Sequence, residues 1–228
     1  MQRHVAIAVP AYTGTVTIPT LSSLLADCLA LQKHGVGLSF INEVGNTDIE
    51  DARALVAKEF LEIQTATDLV FIDHDVTWER GALLRLLAHE VDLVAGAYPK
   101  RIEPLTYPVR WMTEGEPART DSGLVEVEGV PAGFMRISRV CLERMAERYS
   151  DLRYVRGAPP QEIIGLFDRM RLDNGSKLSE DLSFCHRWRQ IGGKVWLDPS
   201  FTMGHIGLKN YAGCVGRDLL TPKQGNSA

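Results

Sequence analysis

Leu69-Val70-Phe71-Ile72-Asp73-His74-Asp75 is the stretch that decides the expected fold of this chain. Its four apolar residues run without a polar break, which is typical of a strand buried on both faces of a parallel sheet. Two carboxylates, Asp73 and Asp75, follow directly. Because open α/β sheets bind ligands beyond the carboxyl ends of their strands, we expect both carboxylates at the ligand edge of a central strand.

The residues before this stretch predict a βαβ unit. His4 to Val9 is a run stopped by Pro10, and we interpret it as a second buried strand. Pro19 then opens a helix that ends at Gly35, and a strand over 36–41 follows.

The neighbouring segments extend this pattern on both sides. Thr47-Asp48-Ile49-Glu50 fits a capping box and predicts a helix of about four turns before Leu69. After Asp75, we expect a helix over about 80–89 and a strand over 93–96. Four strands with three intervening helices predict a doubly wound α/β half.

The second half of the chain is less regular, because prolines interrupt it from Tyr98 onward. The segment 151–177 is rich in Gly, Pro and charge and predicts a mobile loop over a site. The other expected elements are short extended pieces at 109–111 and 124–127, helices over about 138–149 and 179–191, a strand over 195–197 and a frayed tail over 221–228.

Composition narrows the class of protein. The chain has 228 residues, 45% hydrophobic and 24% charged, as expected of one globular domain. Its net charge of −4 disfavours a protein held on nucleic acid by bulk electrostatics. The four cysteines lie far apart, so we expect reduced thiols. The run ending at Pro10 is too short for a signal peptide or a membrane span, so we place the protein in the cytoplasm.

Asp73 and Asp75 are the main chemical indication. A departing diphosphate needs a divalent cation, and two carboxylates one residue apart are able to hold that cation and the ribose side of a nucleotide. Hard oxygen ligands favour Mn²⁺ or Mg²⁺. The alternative is a chance D-x-D in a solvated loop, and the position directly after a buried strand argues against it.

Two further motifs have both a functional and a structural interpretation. Glu180 and Asp181 fall in the first turn of a helix, where backbone N–H groups favour ionised carboxylates; plain helix capping is the alternative. His205 lies between Gly204 and Ile206, where the backbone is able to approach a ligand, and neutral imidazole is a competent metal ligand. A histidine satisfied within the fold is the alternative.

Lys100, Arg101 and Trp111 are further candidates. The two basic residues would hold phosphate or sugar beside the cleft, with a solvated turn as the alternative. Trp111 would stack on a sugar, with core packing as the alternative.

Taken in chain order, these motifs resemble those of GT-A glycosyltransferases, particularly family 2. The match spans roughly residues 4–207. It consists of Pro10-Ala11-Tyr12, Asp73-His74-Asp75, Pro131-Ala132-Gly133-Phe134, the acidic pair in Ser179-Glu180-Asp181-Leu182-Ser183-Phe184, Gly192-Gly193, Val195-Trp196-Leu197-Asp198-Pro199 and Gly204-His205.

The resemblance implies one GT-A domain, a Rossmann-like nucleotide-diphospho-sugar transferase fold whose mostly parallel central sheet is flanked by helices. Residues of about 4–97 would bind the nucleotide sugar, and about 98–215 would form the acceptor side. The implied activity is metal-dependent transfer of a sugar from a UDP- or GDP-sugar to an acceptor hydroxyl.

The same resemblance implies roles for individual residues. Asp181 would be the catalytic base of an inverting transfer, or would orient the acceptor or the donor sugar if the enzyme is retaining. The other implied contacts are Pro10, Ala11 and Tyr12 with the base, Asp73 with the ribose or sugar, Asp73, Asp75 and His205 with the metal, and Gly133, Phe134, Glu180 and Trp111 with the acceptor.

Departures from the family pattern keep alternatives open. Thr13 and Gly14 follow Tyr12 where family 2 commonly has Asn, and the Q-x-x-R-W motif of processive synthases is not evident. A sugar nucleotidyltransferase is one alternative, although residues 10–19 have no basic, Gly-rich loop to grip a triphosphate. A non-catalytic nucleotide-sugar-binding domain is the other.

The sequence leaves the acceptor and the oligomeric state open, because loops at the cleft rim carry no transferable code. A glycan, a lipid-linked sugar, a protein or a modified DNA base would fit. Six arginines between 136 and 156 keep a polyanionic acceptor such as DNA open. Solvated helix faces paired with Glu143 and Glu147 are the favoured interpretation of those arginines.

Overall fold

The computed structural model describes residues 2–113 and 115–221, so the predicted tail lies outside the described residues except for Thr221. The strands are β1 (His4–Ala11), β2 (Gly37–Val44), β3 (Asp68–Ile72), β4 (Val76–Trp78), β5 (Leu93–Ala95), β6 (Val125–Val127), β7 (Phe134–Ser138), β8 (Arg153–Arg156), β9 (Gln161–Ile164), β10 (Val195–Leu197), β11 (Met203–Ile206) and β12 (Asn210–Gly213). The α-helices are α1 (Ile18–Lys33), α2 (Ile49–Glu62), α3 (Ala82–Ala88), α4 (Arg139–Arg148) and α5 (Glu180–Gln190). A 3₁₀ turn at Ser150–Leu152 and a π-helical turn at Gly216–Leu220 complete the described elements.

Seven strands form the central sheet in the order β2-β1-β3-β7-β5-β10-β6. β1, β2, β3, β5 and β10 run in one direction, while β7 and β6 run against them. The expected mixed α/β architecture with a mostly parallel central sheet is therefore confirmed. Strands from both predicted halves of the chain contribute to this one sheet.

β7 is the main departure from the sequence-based expectation. It lies between β3 and β5, where no strand was predicted. Arg136 stands in the middle of β7 and masks its apolar pattern. The charge is accommodated because Arg136 Nε donates to Asp68 Oδ1 over 2.6 Å at the start of β3.

Helices cover both faces of the sheet, as the doubly wound prediction requires. On one face, α2, α4 and α5 pack against strand residues such as Ala6 and Phe71. On the other, α1 and α3 pack against Ile7, Val70 and their neighbours. None of the helices in the described parts of the chain has the length and apolar character needed to cross a bilayer.

The predicted helices are confirmed with small shifts at their ends, but one predicted cap is wrong. The N-cap of α2 is Asp48, whose side chain makes no capping hydrogen bond. Glu50 is not folded back into a capping box, because its carboxylate pairs with Arg169 Nε at 3.3 Å. The predicted strand over 36–41 also continues further, to Val44.

Two smaller sheets lie beside the central one. β4, β11 and β12 form an antiparallel sheet, and β8 pairs with β9 as a hairpin. The hairpin occupies part of 151–177, where only a loop was expected. The pairing of β11 with β4 places His205 opposite Val76, directly after Asp75.

Candidate active site

Asp73 follows β3 at the carboxyl edge of the sheet, and both of its carboxylate oxygens accept hydrogen bonds. Arg53 Nη2 donates to Asp73 Oδ1 over 3.0 Å, and Tyr98 Oη donates to Asp73 Oδ2 over 2.9 Å. The Asp73 amide donates to the Gly133 carbonyl over 3.0 Å. The first carboxylate of the D-x-D is thus held in one orientation by three chain segments.

Arg53 was not expected at the site. It lies in α2, is only 3% exposed, and forms a second ion pair with Glu180 through Nε at 3.6 Å. Burial opposes its charge, but the carboxylates of Asp73, Glu180 and Asp181 raise the pKa of the guanidinium. Arg53 Nε and Nη1 have no hydrogen-bond partner within the described residues. An arginine on the apolar face of the helix, three residues before Val56, was the available sequence signal.

Asp75 lies beside His205, as the resemblance implied. His205 Nε2 is 3.6 Å from Asp75 Oδ1, and His74 Nε2 is 3.7 Å from Asp75 Oδ2. The amide of Ile206 donates to the Asp75 carbonyl over 2.8 Å, which fixes β11 against this turn. Arg101 also forms an ion pair with Asp75 Oδ2.

The ring of His205 is oriented by the backbone. Its Nδ1 donates to the Pro99 carbonyl over 3.0 Å, so in the neutral ring Nε2 carries the lone pair that faces Asp75. Burial, followed by the charge of Arg101, lowers the pKa of His205 and favours that neutral form. This is the protonation state that a metal ligand requires.

The chain supplies two candidate metal ligands and not a complete coordination shell. Within residues 2–113 and 115–221, no three His, Cys, Asp or Glu side chains are grouped to hold a metal ion. Asp75 and His205 converge, whereas Asp73 is turned toward Arg53 and Tyr98. A carboxylate and an imidazole fit Mn²⁺ or Mg²⁺ only if substrate oxygens and water complete the coordination sphere, as is usual for nucleotide-bound cations.

Glu180 and Asp181 open α5 at the same edge of the sheet. Glu180 faces inward to Arg53 and to Arg169, whose Nη2 is 3.8 Å from Oε2. Burial, followed by the neighbouring charge of Asp181, raises the pKa of Glu180. Asp181 Oδ1 accepts from the Leu182 amide over 2.8 Å and from the Ser179 hydroxyl.

The predicted donor residues surround the turn after β1. Pro10 and Ala11 end that strand and are buried, whereas Tyr12 is 61% exposed. The Gly45 amide donates to the Tyr12 carbonyl over 3.1 Å, which ties the ends of β1 and β2 together. Lys100 is exposed on the other side of the site.

The predicted acceptor residues are not all accessible. Gly133 contacts the site: a Cβ there would lie 2.4 Å from Asp73 Oδ2 and 2.5 Å from Tyr98 Oη. Phe134 is fully buried against Trp78 and Phe201, so its side chain offers no surface to an acceptor. Trp111 is partly buried against the core, which is the alternative considered for it.

Comparison with known proteins gives a likeness of fold. No protein-family model and no curated protein sequence matches the chain. The crystal structure of A197 from STIV aligns with a TM-score of 0.56 and 20% identity over 95% of this chain and 92% of that one. At this identity the likeness concerns the fold alone.

Two solved glycosyltransferases align more distantly. The catalytic domain of Drosophila beta1,4galactosyltransferase 7, in complex with xylobiose, gives a TM-score of 0.43 and 14% identity over 86% of this chain and 64% of that one. GalNAc-T7 with UDP, GalNAc and Mn²⁺ gives 0.44 and 12% over 89% of this chain and 44% of that one. These likenesses are too weak to bear on activity.

Proposed function

We propose that this chain is a metal-dependent glycosyltransferase that moves a sugar from a UDP- or GDP-sugar to an acceptor hydroxyl. The observation that carries the proposal is the pairing of Asp75 with the lone-pair nitrogen of His205, 3.6 Å apart, beside the oriented carboxylate of Asp73. Such an arrangement at the carboxyl edge of a parallel sheet suits a nucleotide diphosphate and its cation.

On the donor side, Asp75 and His205 would hold Mn²⁺ or Mg²⁺, which when bound stabilises negative charge on the departing diphosphate. Asp73, already oriented by Arg53 and Tyr98, would accept from a hydroxyl of the ribose or sugar. Pro10, Ala11 and the exposed ring of Tyr12 would line the base pocket.

Lys100 and Arg101 would bind the diphosphate. Arg101 pairs with Asp75, so its guanidinium lies beside the proposed cation ligands. A partly exposed arginine suits this task, because its fork binds two phosphate oxygens at once.

On the acceptor side, Asp181 would take the hydroxyl proton while the acceptor oxygen bonds to the anomeric carbon and the bond to the diphosphate breaks. Ser179 and Leu182 both donate to Asp181 Oδ1, so Oδ2 is the oxygen that we assign to the proton. In a retaining reaction, Asp181 would instead orient the acceptor or the donor sugar. Glu180 and Gly133 would line the acceptor side.

A nucleotide-sugar-binding domain without turnover is the second candidate. The observation that favours this candidate is that the described residues supply only two candidate ligands for the cation, Asp75 and His205. A cation held by two protein ligands needs substrate oxygens to complete its coordination. Release of nucleoside diphosphate from a donor distinguishes the glycosyltransferase from the binding domain.

The test is hydrolysis of a panel of UDP- and GDP-sugars with Mn²⁺, with Mg²⁺ and with a chelator. We expect metal-dependent release of nucleoside diphosphate for at least one donor, and loss of that release in Asp75→Asn. Asp121→Asn, in an exposed turn, is the matched control. Metal-dependent turnover that survives Asp75→Asn would refute the site. Donor binding without turnover would favour the binding domain.

A further inference from the structure

An exposed apolar surface lies on the outer side of the fold, and its ends at Ile18 and Val44 adjoin Thr17, whose amide donates to the His74 carbonyl, and Gly45, whose amide donates to the Tyr12 carbonyl. It is formed by one helix and one strand, and we call it the α1–β2 surface. Its members are large apolar side chains between 39% and 73% exposed, namely Ile18, Leu21, Leu25 and Leu29 from α1 and Phe40 and Val44 from β2. Exposed large apolar side chains that lie together mark interaction sites.

The helix residues form one stripe on the side of α1 that faces β2. Successive residues turn by about 100° around a helix, so Leu21 and Leu25 point about 160° away from Ser23. Ser23 Oγ donates to the Trp78 carbonyl in β4 over 3.0 Å, which fixes the side of α1 turned toward the sheet interior. The leucine stripe therefore faces the opposite side, toward the edge of the sheet.

The strand residues continue the same surface. Side chains alternate between the faces of a strand, so Leu38, Phe40 and Val44 share one face of β2, with the exposed polar side chain of Asn42 between the last two. Leu38 packs in the core cluster that contains the buried residues of α1. Phe40 and Val44 thus extend the stripe across the face of the sheet that α1 covers.

β2 is also an open edge. In the described chain it pairs with β1 on one side only, over all eight of its residues. Its sequence, GLSFINEV, has neither the lysine nor the proline with which edge strands usually prevent pairing. An edge of this length and character is available to a second strand.

We propose that the α1–β2 surface is the interface of a two-fold symmetric homodimer. Antiparallel pairing of β2 with β2 of a second copy would join two sheets about an axis perpendicular to them. The two α1 helices would then lie on the same face of the joined sheet, stripe against stripe. A two-fold interface places each residue near its own copy, so it requires a patch that is self-complementary.

Charge favours a second copy over a membrane as the occupant. The only charged residues of α1 are Asp27, which is buried, and Lys33 in its last turn, so the α1 stripes of two copies would meet without repulsion between like charges, and Glu43 is the one charged residue of β2. A helix that lies on a membrane usually carries several lysines or arginines on its polar face. α1 has one.

The test is sedimentation velocity of the full chain between about 1 and 100 µM, a range that separates weak from specific dimers. We expect a concentration-dependent dimer. Leu25→Glu should raise its dissociation constant at least about 100-fold, because the charge is buried twice across the axis. Val140→Glu on α4 is the matched control, since Val140 is 53% and Leu25 54% exposed.

Phe40→Lys on β2 is the second variant, in case Leu25→Glu does not fold as judged by circular dichroism. Either folded variant should be monomeric where the wild type is dimeric. A wild type that stays monomeric at about 100 µM would overturn the proposal. So would dimerisation unchanged by both variants. A monomer that floats with anionic phospholipid vesicles, and loses this in Leu25→Glu, would assign the surface to a membrane instead.

Discussion

Arg53 Nη2 lies 3.0 Å from Asp73 Oδ1, so a buried helix residue sets the direction of the first carboxylate after β3. The same guanidinium pairs with Glu180 at the start of α5. It thereby ties the donor-side motif and the acidic pair of the acceptor side, which are more than a hundred residues apart in sequence, into one cluster. A side chain that binds substrate positions it precisely only when neighbouring residues hold that side chain in place.

Replacing Arg53 with methionine should therefore affect both stability and activity. The change leaves Asp73 and Glu180 without their shared counter-ion, which typically costs about 3 kcal/mol for a buried pair. We expect donor turnover to fall about 100-fold, because the Asp73 carboxylate is then held by Tyr98 alone. Urea unfolding and donor hydrolysis measure the two effects. The exposed Arg80→Met is the control, and full turnover in Arg53→Met would show that Asp73 needs no such partner.

Gly133→Ala should disturb the opposite side of Asp73. The added Cβ would lie 2.4 Å from Asp73 Oδ2 and 2.5 Å from Tyr98 Oη, so their hydrogen bond must break or shift. We expect a cost of about 1–3 kcal/mol, typical of overpacking, together with a larger loss of donor turnover. Gly37→Ala, whose Cβ would meet only the His4 side chain at 3.3 Å, should change both much less. Equal losses in the two variants would contradict the role of Gly133.

The sequence predicts the structure best where all the residues of a segment are in similar surroundings. β1, β3 and β5 are mainly apolar because both faces of their strands are buried, and the run Leu69–Ile72 predicts where Asp73 and Asp75 stand. β7 is hidden because the charge of Arg136 is neutralised by Asp68, a partner 68 residues away. Tertiary pairing of this kind leaves no local signal.

The site residues also divide into those whose positions the sequence predicts and those whose positions it does not. The position of Asp75 is predictable from the buried strand that precedes it, whereas β11, which carries His205, was not predicted, and only the resemblance placed His205 beside Asp75. The burial of Phe134 and the role of Arg53 depend on packing between distant elements. Phe134 belongs to a strand that has no apolar run of its own, and Arg53 gains its partners only when α2, β3 and α5 come together.

Asp198 should make stability depend on acid pH. Burial works against its charge, but hydrogen bonds from His89 and from Ser200 hold its pKa below the usual value. A lowered carboxyl pKa contributes stability above the unfolded value of about 3.9, and that contribution is lost as pH falls through the folded pKa. We expect Asp198→Asn to be less stable than the wild type at pH 7 by about 1–2 kcal/mol, with the gap closing toward pH 3.

Urea unfolding at several pH values measures this gap. Asp121→Asn, in the exposed turn, should show no comparable dependence on pH. A gap between Asp198→Asn and the wild type that stays constant from pH 7 to about pH 3 would mean that Asp198 does not titrate as inferred.

Replacing Asp27 should lower the stability of the fold more than replacing most other polar residues, because Asp27 caps a helix other than its own. This carboxylate lies in α1 and is fully buried. Its Oδ1 accepts from the Gly81 amide over 2.7 Å, and its Oδ2 accepts from the Leu83 amide and from Trp78 Nε1, each over 3.0 Å. Two of these donors, the amides of Gly81 and Leu83, lie at the start of α3, where N–H groups have no partner within the helix. The helix dipole also favours a negative charge there.

Removing this side chain leaves three buried donors without a partner, so we expect Asp27→Ala to lower the free energy of unfolding by about 3–5 kcal/mol. Asp48→Ala is the matched control. Asp48 stands at the N-cap of α2 but makes no side-chain capping bond, so its loss should cost less than about 0.5 kcal/mol. Urea unfolding of both variants decides the matter: similar costs would mean that position at a helix start, rather than the buried hydrogen bonds of Asp27, determines the effect.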